Sequence, residues 1–215
     1  MDPTIIQKIA VYAIPLIFAI TLHEAAHAYA ARYFGDNTAY MLGRMTLNPI
    51  KHIDPIWTIA VPLTMLFFSP FIFGAAKPVP VNFNALRNPK RDSVWVAAAG
   101  PLANLAMLLA WALVTKIALG LPESVPVQFL AYVGQAGIYV NALLMIFNLF
   151  PLLPLDGGRI LAGLLPNNLA YQYSKIEPYG MFILIGLLVL DANFRFIGTL
   201  VDISMKTVYS IFGIA

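Results

Sequence analysis

Two histidines and a glutamate stand together near the start of the sequence, as His23-Glu24-Ala25-Ala26-His27. Residues four apart lie on one face of an α-helix, so the two imidazoles can bind one Zn²⁺ together. The glutamate can then act as a base on a water molecule that the metal activates. Such a match alone is weak evidence in a water-soluble chain, so its setting decides how it is interpreted.

The motif lies at the end of an apolar run that extends over residues 5–34. Charged side chains inside a membrane cost about 2.5–3.5 kcal/mol each on insertion scales and are retained mainly for function. This setting favours a metal site over the structural alternative, in which the three side chains cap a helix among the lipid headgroups. Alanines surround the motif and allow close helix packing. We therefore expect another helix to bring the third ligand.

The composition indicates a membrane as the solvent. Hydrophobic residues make up 60% of the 215 residues and charged residues only 11%, which is more apolar than ordinary soluble domains. No long polar linker divides the chain, so we predict a single membrane-embedded domain over residues 1–215. The formal charge of +3 is small and its basic residues are scattered. This pattern suits contact with the lipid bilayer and makes a nucleic-acid partner improbable. Cysteine is absent, so a transition metal must be held by histidine and carboxylate.

Several apolar stretches approach the ~20 residues that a helix needs to cross the hydrocarbon core. They cover residues 5–34, 56–73, 94–119, 127–150 and 179–200. A shorter stretch from about residue 203 suits an interfacial helix as well as a sixth span. The predicted fold is an all-α polytopic membrane protein with about five to six membrane-embedded helices.

Basic residues predict the topology, because cytoplasmic loops carry an excess of lysine and arginine. Six of them fall between residues 35 and 92: Arg44, Lys51, Lys77, Arg87, Lys90 and Arg91. A complete crossing by residues 56–73 would divide this group between the two sides of the membrane. We therefore predict a re-entrant or hairpin segment at 56–73, in a multi-pass protein of the plasma membrane. The catalytic centre then lies nearer the cytoplasmic face.

One acidic residue is a candidate third ligand, because catalytic zinc usually takes three protein ligands and leaves a fourth position for water. Asp156 follows two prolines, which interrupt a helix, and precedes Gly157-Gly158, which permits close backbone approach. Its carboxylate could reach inward from there. Two alternatives stay open at this point: Asp156 could cap the following helix, or it could pair with Arg159.

Three motifs in the same order resemble those of the site-2 protease family of intramembrane zinc metalloproteases. They are residues 23–27, Gly100-Pro101-Leu102-Ala103-Asn104, and Asn148 through Leu155-Asp156-Gly157-Gly158. Gly43-Arg44, Asn48-Pro49 and His52-Ile53-Asp54-Pro55 are similar to the compact branch of that family that lacks a PDZ domain. The resemblance implies that Asp156 completes the ligand set of one Zn²⁺ per chain. It also implies that Asn148 faces the active site.

The expected function is hydrolysis of peptide bonds in or near transmembrane segments of membrane proteins. Glu24 would take a proton from water and pass it to the leaving amine. The Asn148 amide could stabilise the oxyanion, although a buried asparagine near a helix break often only satisfies backbone groups. We interpret Asn104 mainly as an interhelical hydrogen bond. His52 lies in a loop beside charged residues and prolines, and we place it outside the metal site.

A substrate helix must unwind before cleavage, and its freed backbone groups then need partners. The β-prone segment 77–83 could supply them as a short β edge by strand addition, with its prolines confining it to an edge. A stiff extended linker is an equal alternative for this segment.

Two other functions are consistent with a histidine and carboxylate site inside a membrane. A metal transporter usually needs polar groups in several helices, whereas here they concentrate in one motif and one aspartate. A catalytically idle relative that only binds membrane proteins is disfavoured by the intact Glu24.

The first prediction concerns the ligand set. Replacing His23 or Asp156 by alanine should sharply lower the zinc bound per chain, because each change removes one of three ligands. Elemental analysis of the purified protein measures this loss. Undiminished zinc in a folded Asp156→Ala variant would contradict the assignment.

Overall fold

The computed structural model describes residues 5–60, 64 and 77–214, and all the regular structure in these ranges is helical. The helices are α1 (Ile5–Tyr33), α2 (Thr38–Met41), α3 (Pro89–Leu119), α4 (Val125–Asn148), α5 (Asp156–Leu164), α6 (Asn167–Ser174), α7 (Glu177–Phe194) and α8 (Phe196–Phe212). Short helical turns occur at Pro49–His52, Pro55–Ala60 and Phe83–Ala85. The all-α prediction is confirmed for the described ranges.

Helices α1, α3 and α4 are long and apolar enough to cross a membrane. They correspond to the predicted stretches 5–34, 94–119 and 127–150. Within the described residues, a fourth crossing results only if α6 and α7, which meet at a bend of 65°, form one broken span. The chain is therefore a membrane protein, whereas the predicted five to six embedded helices are not confirmed. Most of the predicted re-entrant segment 56–73 lies outside the described residues.

The boundaries of α3 follow from local chemistry. Its first residue is Pro89, and proline suits this position because the first helical N–H groups have no partner within the helix. The Asp92 carboxylate accepts a hydrogen bond from the Asn88 N–H at 2.7 Å and so satisfies a backbone donor at this end. At the other end the helix stops before Gly120-Leu121-Pro122. These signals define the two ends of α3, the helix that packs against α1 at the site described below.

The predicted apolar stretch 179–200 does not form a single helix. Arg195 adopts a left-handed backbone conformation with φ of 51°, which ends α7 and allows α8 to begin in a new direction. The segment from residue 203 therefore belongs to α8 rather than beginning a helix of its own. Val201 and Val208 of α8 are buried in the core formed with α3 and α4.

The centre of the fold is a bundle in which α3 packs against α1, α4 and α5. The buried positions of α1 include four alanines that are at most 1% exposed: Ala19, Ala25, Ala28 and Ala31. Such small side chains let α3 approach the α1 backbone closely. The prediction that a second helix packs against the alanines around the motif is confirmed.

The predicted β edge is not confirmed, because residues 77–82 form no strand pairing within the described ranges. Pro78 and Pro80 lack the N–H groups that a ladder requires. The segment is held instead by bonds to loop and helix side chains. We refer to residues 77–82 as the strap.

Candidate metal centre

His23 and His27 lie one turn apart on α1 and direct their Nε2 atoms toward each other, 3.1 Å apart. Asp156 is the first residue of α5, and its Oδ2 atom lies 3.2 Å from His23 Nε2 and 3.3 Å from His27 Nε2. Each of the three side chains is at most 13% exposed. The fold thus brings two atoms from one helix and one from a distant helix to a common point.

The opposite ring nitrogens show where the imidazole hydrogens are. His27 Nδ1 lies 2.7 Å from the Val96 carbonyl oxygen, and His23 Nδ1 lies 2.6 Å from Asn104 Oδ1. Both oxygens can only accept a hydrogen bond, so each Nδ1 carries the hydrogen and donates it. When the rings are neutral, as metal binding requires, their Nε2 atoms therefore present lone pairs to Asp156.

With both rings neutral, these three atoms are all hydrogen-bond acceptors, and they repel one another unless a cation lies among them. Asp156 Oδ2 is buried, and apart from the two imidazoles no group in the described part of the chain can donate a hydrogen bond to it, which would be costly for an oxygen without a further partner. Ligand atoms about 2.0–2.1 Å from zinc in a tetrahedron lie about 3.3 Å from one another. The observed separations of 3.1 to 3.3 Å match this value, so the donor set and its spacing fit Zn²⁺.

The space for a metal is maintained by Gly100 on α3. A methyl group at this position would lie 2.3 Å from His27 Nε2 and 2.6 Å from His23 Nε2. Any side chain at residue 100 would therefore occupy the point toward which the two nitrogens are directed. This contact explains why a helix whose interior disfavours glycine has one here.

Close backbone packing brings Asp156 to the histidines. A methyl group on Gly157 would lie 2.2 Å from the Leu149 carbonyl oxygen, and one on Gly158 would lie 2.4 Å from the Leu152 carbonyl carbon. The predicted close approach at the two glycines is confirmed. Neither open alternative for Asp156 is seen, because its side chain makes no capping bond and Arg159 pairs with Glu177 at 3.4 Å.

Glu24, the predicted base, contacts the strap. Its Oε2 atom accepts a hydrogen bond from the Val79 backbone N–H at 2.8 Å, and the Val79 side chain is buried against Ala28 and Ala39. The carboxylate is therefore held by a backbone group rather than by the two neighbouring histidines. Sequence reasoning missed this contact, because nothing local links residues 24 and 79.

The strap is anchored at further points. Lys77 N–H donates to the His52 carbonyl at 2.9 Å, and Arg44 donates to the Lys77 carbonyl at 3.0 Å. At the far end, Asn82 N–H donates to the Asp36 carboxylate at 2.7 Å. These bonds tie the strap to the loops that follow α1, so the position of Glu24 depends on those loops.

Comparison with known proteins identifies the family. A Bacillus subtilis protein named "Putative zinc metalloprotease YwhC" is 38% identical over 183 residues, which cover 82% of the chain and 78% of the relative. The chain belongs to the site-2 protease family of zinc metalloproteases. Two proteins named "Putative zinc metalloprotease Rip2" also match. The Mycolicibacterium smegmatis protein is 26% identical over 186 residues, covering 86% of the chain and 69% of the relative. The Mycobacterium tuberculosis protein is 27% identical over 176 residues, which cover 81% of the chain and 63% of the relative.

No protein-family model and no solved structure matches the chain. Family membership nevertheless makes the chain a metalloprotease, and zinc is its cofactor. The zinc chemistry expected from the sequence is therefore supported independently of the local geometry.

Two other polar residues of this site-2 protease have local partners. Asn148 donates its amide to the Leu144 carbonyl of its own helix at 2.9 Å, so its observed bond is to backbone. His52 is buried, and its Nε2 lies 2.9 Å from the Thr46 carbonyl oxygen. His52 thus lies outside the group of three converging atoms, as predicted, and is buried and paired with a nearby carbonyl.

The second prediction follows from the space at Gly100. Gly100→Ala should abolish stoichiometric zinc binding, because the added methyl group would occupy the position between the two Nε2 atoms. The matched control is Gly120→Ala at the end of the same helix, where the nearest atom to an added methyl lies at 3.5 Å. Metal analysis should show zinc lost in the first variant and retained in the second. Full zinc occupancy in Gly100→Ala would show that the metal does not bind between these two nitrogens.

Proposed function

We propose that this chain is an intramembrane zinc metalloprotease that cleaves transmembrane protein substrates, with His23, His27 and Asp156 as its metal ligands. The observation that supports this most strongly is the convergence of two imidazoles of α1 and one carboxylate of α5 at a single point beside α3. An active site for soluble, extended substrates would not have to lie among membrane-crossing helices. A transmembrane segment reaches it from within the bilayer.

The reaction follows from the residues around the centre. His23, His27 and Asp156 would hold Zn²⁺, which would supply a Lewis acid for the scissile carbonyl and would lower the pKa of a bound water toward ~7. Glu24 removes the proton from the attacking water and delivers it to the leaving amine. The Val79 N–H restrains the Glu24 carboxylate, which keeps its second oxygen available for that proton. Asn148 is the proposed oxyanion donor through the amide hydrogen that does not bond Leu144.

Substrate would be held in extended form along the strap. Alternate residues of an extended segment direct their backbone groups to the same side, so an extended strap would direct the Val81 N–H to the side on which Val79 donates to Glu24. The Val81 N–H makes no hydrogen bond within the described residues. Pro78 and Pro80, on the opposite side, have no N–H to offer. The strap thus has one edge with a free backbone donor, and that edge faces the proposed base.

The same proposal includes the arrangement in the membrane. Residues 1–215 form one membrane-embedded domain in the plasma membrane, with five to six embedded helices and residues 35–92 on the cytoplasmic side. The ligands then lie nearer the cytoplasmic face. The support for this orientation is the cluster of basic residues that flanks the strap.

The third prediction separates catalysis from metal binding. Glu24→Gln should retain zinc but lose cleavage of a transmembrane substrate by at least about 100-fold, because general-base catalysis contributes about 10²–10⁴. Metal analysis and a cleavage assay in reconstituted membranes measure the two effects. Cleavage at the normal rate would refute the mechanism. Zinc movement across vesicles by the parent chain would instead indicate a transporter.

The fourth prediction tests strand addition at Val81. Val81→Pro removes the free N–H and should slow cleavage of helical substrates more than cleavage of a short unstructured peptide, which has no helix to unwind. Val79 is left unchanged, because its N–H holds Glu24. The control is Val81→Ala, which shortens the side chain but keeps the donor. Equal cleavage rates for Val81→Pro and Val81→Ala on a helical substrate would show that the strap is only a linker.

A further inference from the structure

Two asparagines lie behind His23, on the side away from the group of ligand atoms. Asn104 of α3 and Asn141 of α4 are both completely buried. Asn104 Oδ1 lies 2.6 Å from His23 Nδ1, and Asn104 Nδ2 lies 3.0 Å from Asn141 Oδ1. A buried amide is costly unless its groups are bonded. This pair therefore has to have a definite arrangement of donors and acceptors.

Two backbone carbonyls set that arrangement, because a carbonyl oxygen can only accept. Asn141 Nδ2 donates to the Gly137 carbonyl at 2.9 Å, which leaves Asn141 Oδ1 directed toward Asn104. Asn104 must then present its NH₂ group to Asn141. The same NH₂ group also donates to the Ala19 carbonyl at 3.3 Å. Both amide hydrogens of Asn104 are used, and only its oxygen remains for His23.

The orientation of the Asn104 amide determines which nitrogen of the His23 imidazole carries the hydrogen. An amide oxygen at His23 Nδ1 requires the ring hydrogen to be on Nδ1, which leaves the Nε2 lone pair free to bind a cation. If the Asn104 amide were reversed, its NH₂ group would face Nδ1 and favour the hydrogen on Nε2. That tautomer cannot bind zinc through Nε2. A chain of bonds from Gly137 on α4 through α3 to α1 thus determines which nitrogen of His23 is available.

We propose that Asn104 and Asn141 are positioning residues that hold His23 in its zinc-binding tautomer and orientation. The proposal rests on the assignment of His23 as a zinc ligand. His27 needs no such side chains, because the Val96 carbonyl can only accept and defines its tautomer directly. The sequence places Gly100 and Asn104 four residues apart, hence on one face of α3. This face makes room for the metal at Gly100 and orients a ligand at Asn104.

The fifth prediction measures the tautomer itself. The full-length chain contains three histidines, and it is labelled with ¹⁵N-histidine, stripped of zinc by a chelator and kept at a pH high enough to hold the imidazoles neutral. The parent should show the Nδ1–H form for His23 and His27 and the Nε2–H form for His52, which faces the Thr46 carbonyl. In Asn141→Leu, His23 should populate both tautomers, while the signals of His27 and His52 stay unchanged. Asn104→Leu should shift His23 further, because it removes the acceptor.

Zinc affinity provides the second readout. Loss of an outer-shell partner typically weakens metal binding about 10- to 100-fold, and we expect a loss of this size in Asn141→Leu by competition with a zinc chelator. The matched control is Thr115→Val on α3. This change also removes a side-chain hydrogen bond, from Thr115 to the Trp111 carbonyl at 2.9 Å, but Thr115 makes no bond to His23. Its zinc affinity should equal that of the parent. Asn104→Asp keeps an acceptor at His23 Nδ1 and should preserve the Nδ1–H form.

Specific results would overturn the proposal. An unchanged His23 tautomer and an unchanged zinc affinity in Asn141→Leu would show that the pair has no influence on the ligand. If Thr115→Val weakened zinc binding equally, the loss in Asn141→Leu would reflect general destabilisation and the proposal would fail. If Asn141→Leu does not fold, the comparison of Asn104→Asp with Asn104→Leu decides, and equal His23 spectra would reject the proposal. Neither readout uses substrate, so a failure of the protease assignment leaves this test intact.

Discussion

The structure depends on the convergence of three atoms that present only lone pairs to one another when both imidazoles are neutral. His23 Nε2, His27 Nε2 and Asp156 Oδ2 lie 3.1 to 3.3 Å apart, and both ring hydrogens are used on the far side of the imidazoles. A fold brings such atoms together only if its packing compensates for their repulsion or a cation removes it. Zinc, the cofactor of this family, meets that requirement with the ligand types and spacing that are present.

The packing that maintains this convergence comes mainly from residues without large side chains. Gly100 faces the imidazoles, Gly157 and Gly158 lie against the preceding loop, and alanines form much of the buried surface of α1. Helices in a membrane gain no hydrophobic advantage from contacting one another, so close backbone approach and buried hydrogen bonds hold them together. The Asn104 and Asn141 amides belong to the second kind of contact. Stability and metal binding are therefore served by the same face of α3.

The strap connects the proposed catalytic base to the loops outside the bundle. Glu24 accepts a hydrogen bond from Val79, while Arg44, His52 and Asp36 hold the strap on either side. A disturbance of these loops would move the backbone donor that restrains the carboxylate. The polar residues between α1 and the strap thus act on the centre through backbone hydrogen bonds, without being ligands themselves.

The amino-acid sequence alone determined the features that depend on local geometry. Helical spacing places His23 and His27 on one face, apolar length predicts α1, α3 and α4, and the absence of cysteine restricts the ligand types. Residue chemistry left Asp156 open, because capping a helix or pairing with Arg159 explains an aspartate before two glycines equally well, and only the family resemblance favoured it as a ligand. Only the tertiary structure brought Asp156 to the histidines, Asn104 to His23 and Val79 to Glu24, and it divided the last apolar stretch at Arg195. Contacts between residues far apart in the chain depend on how the helices pack, and hydrophobic periodicity carries no record of that packing.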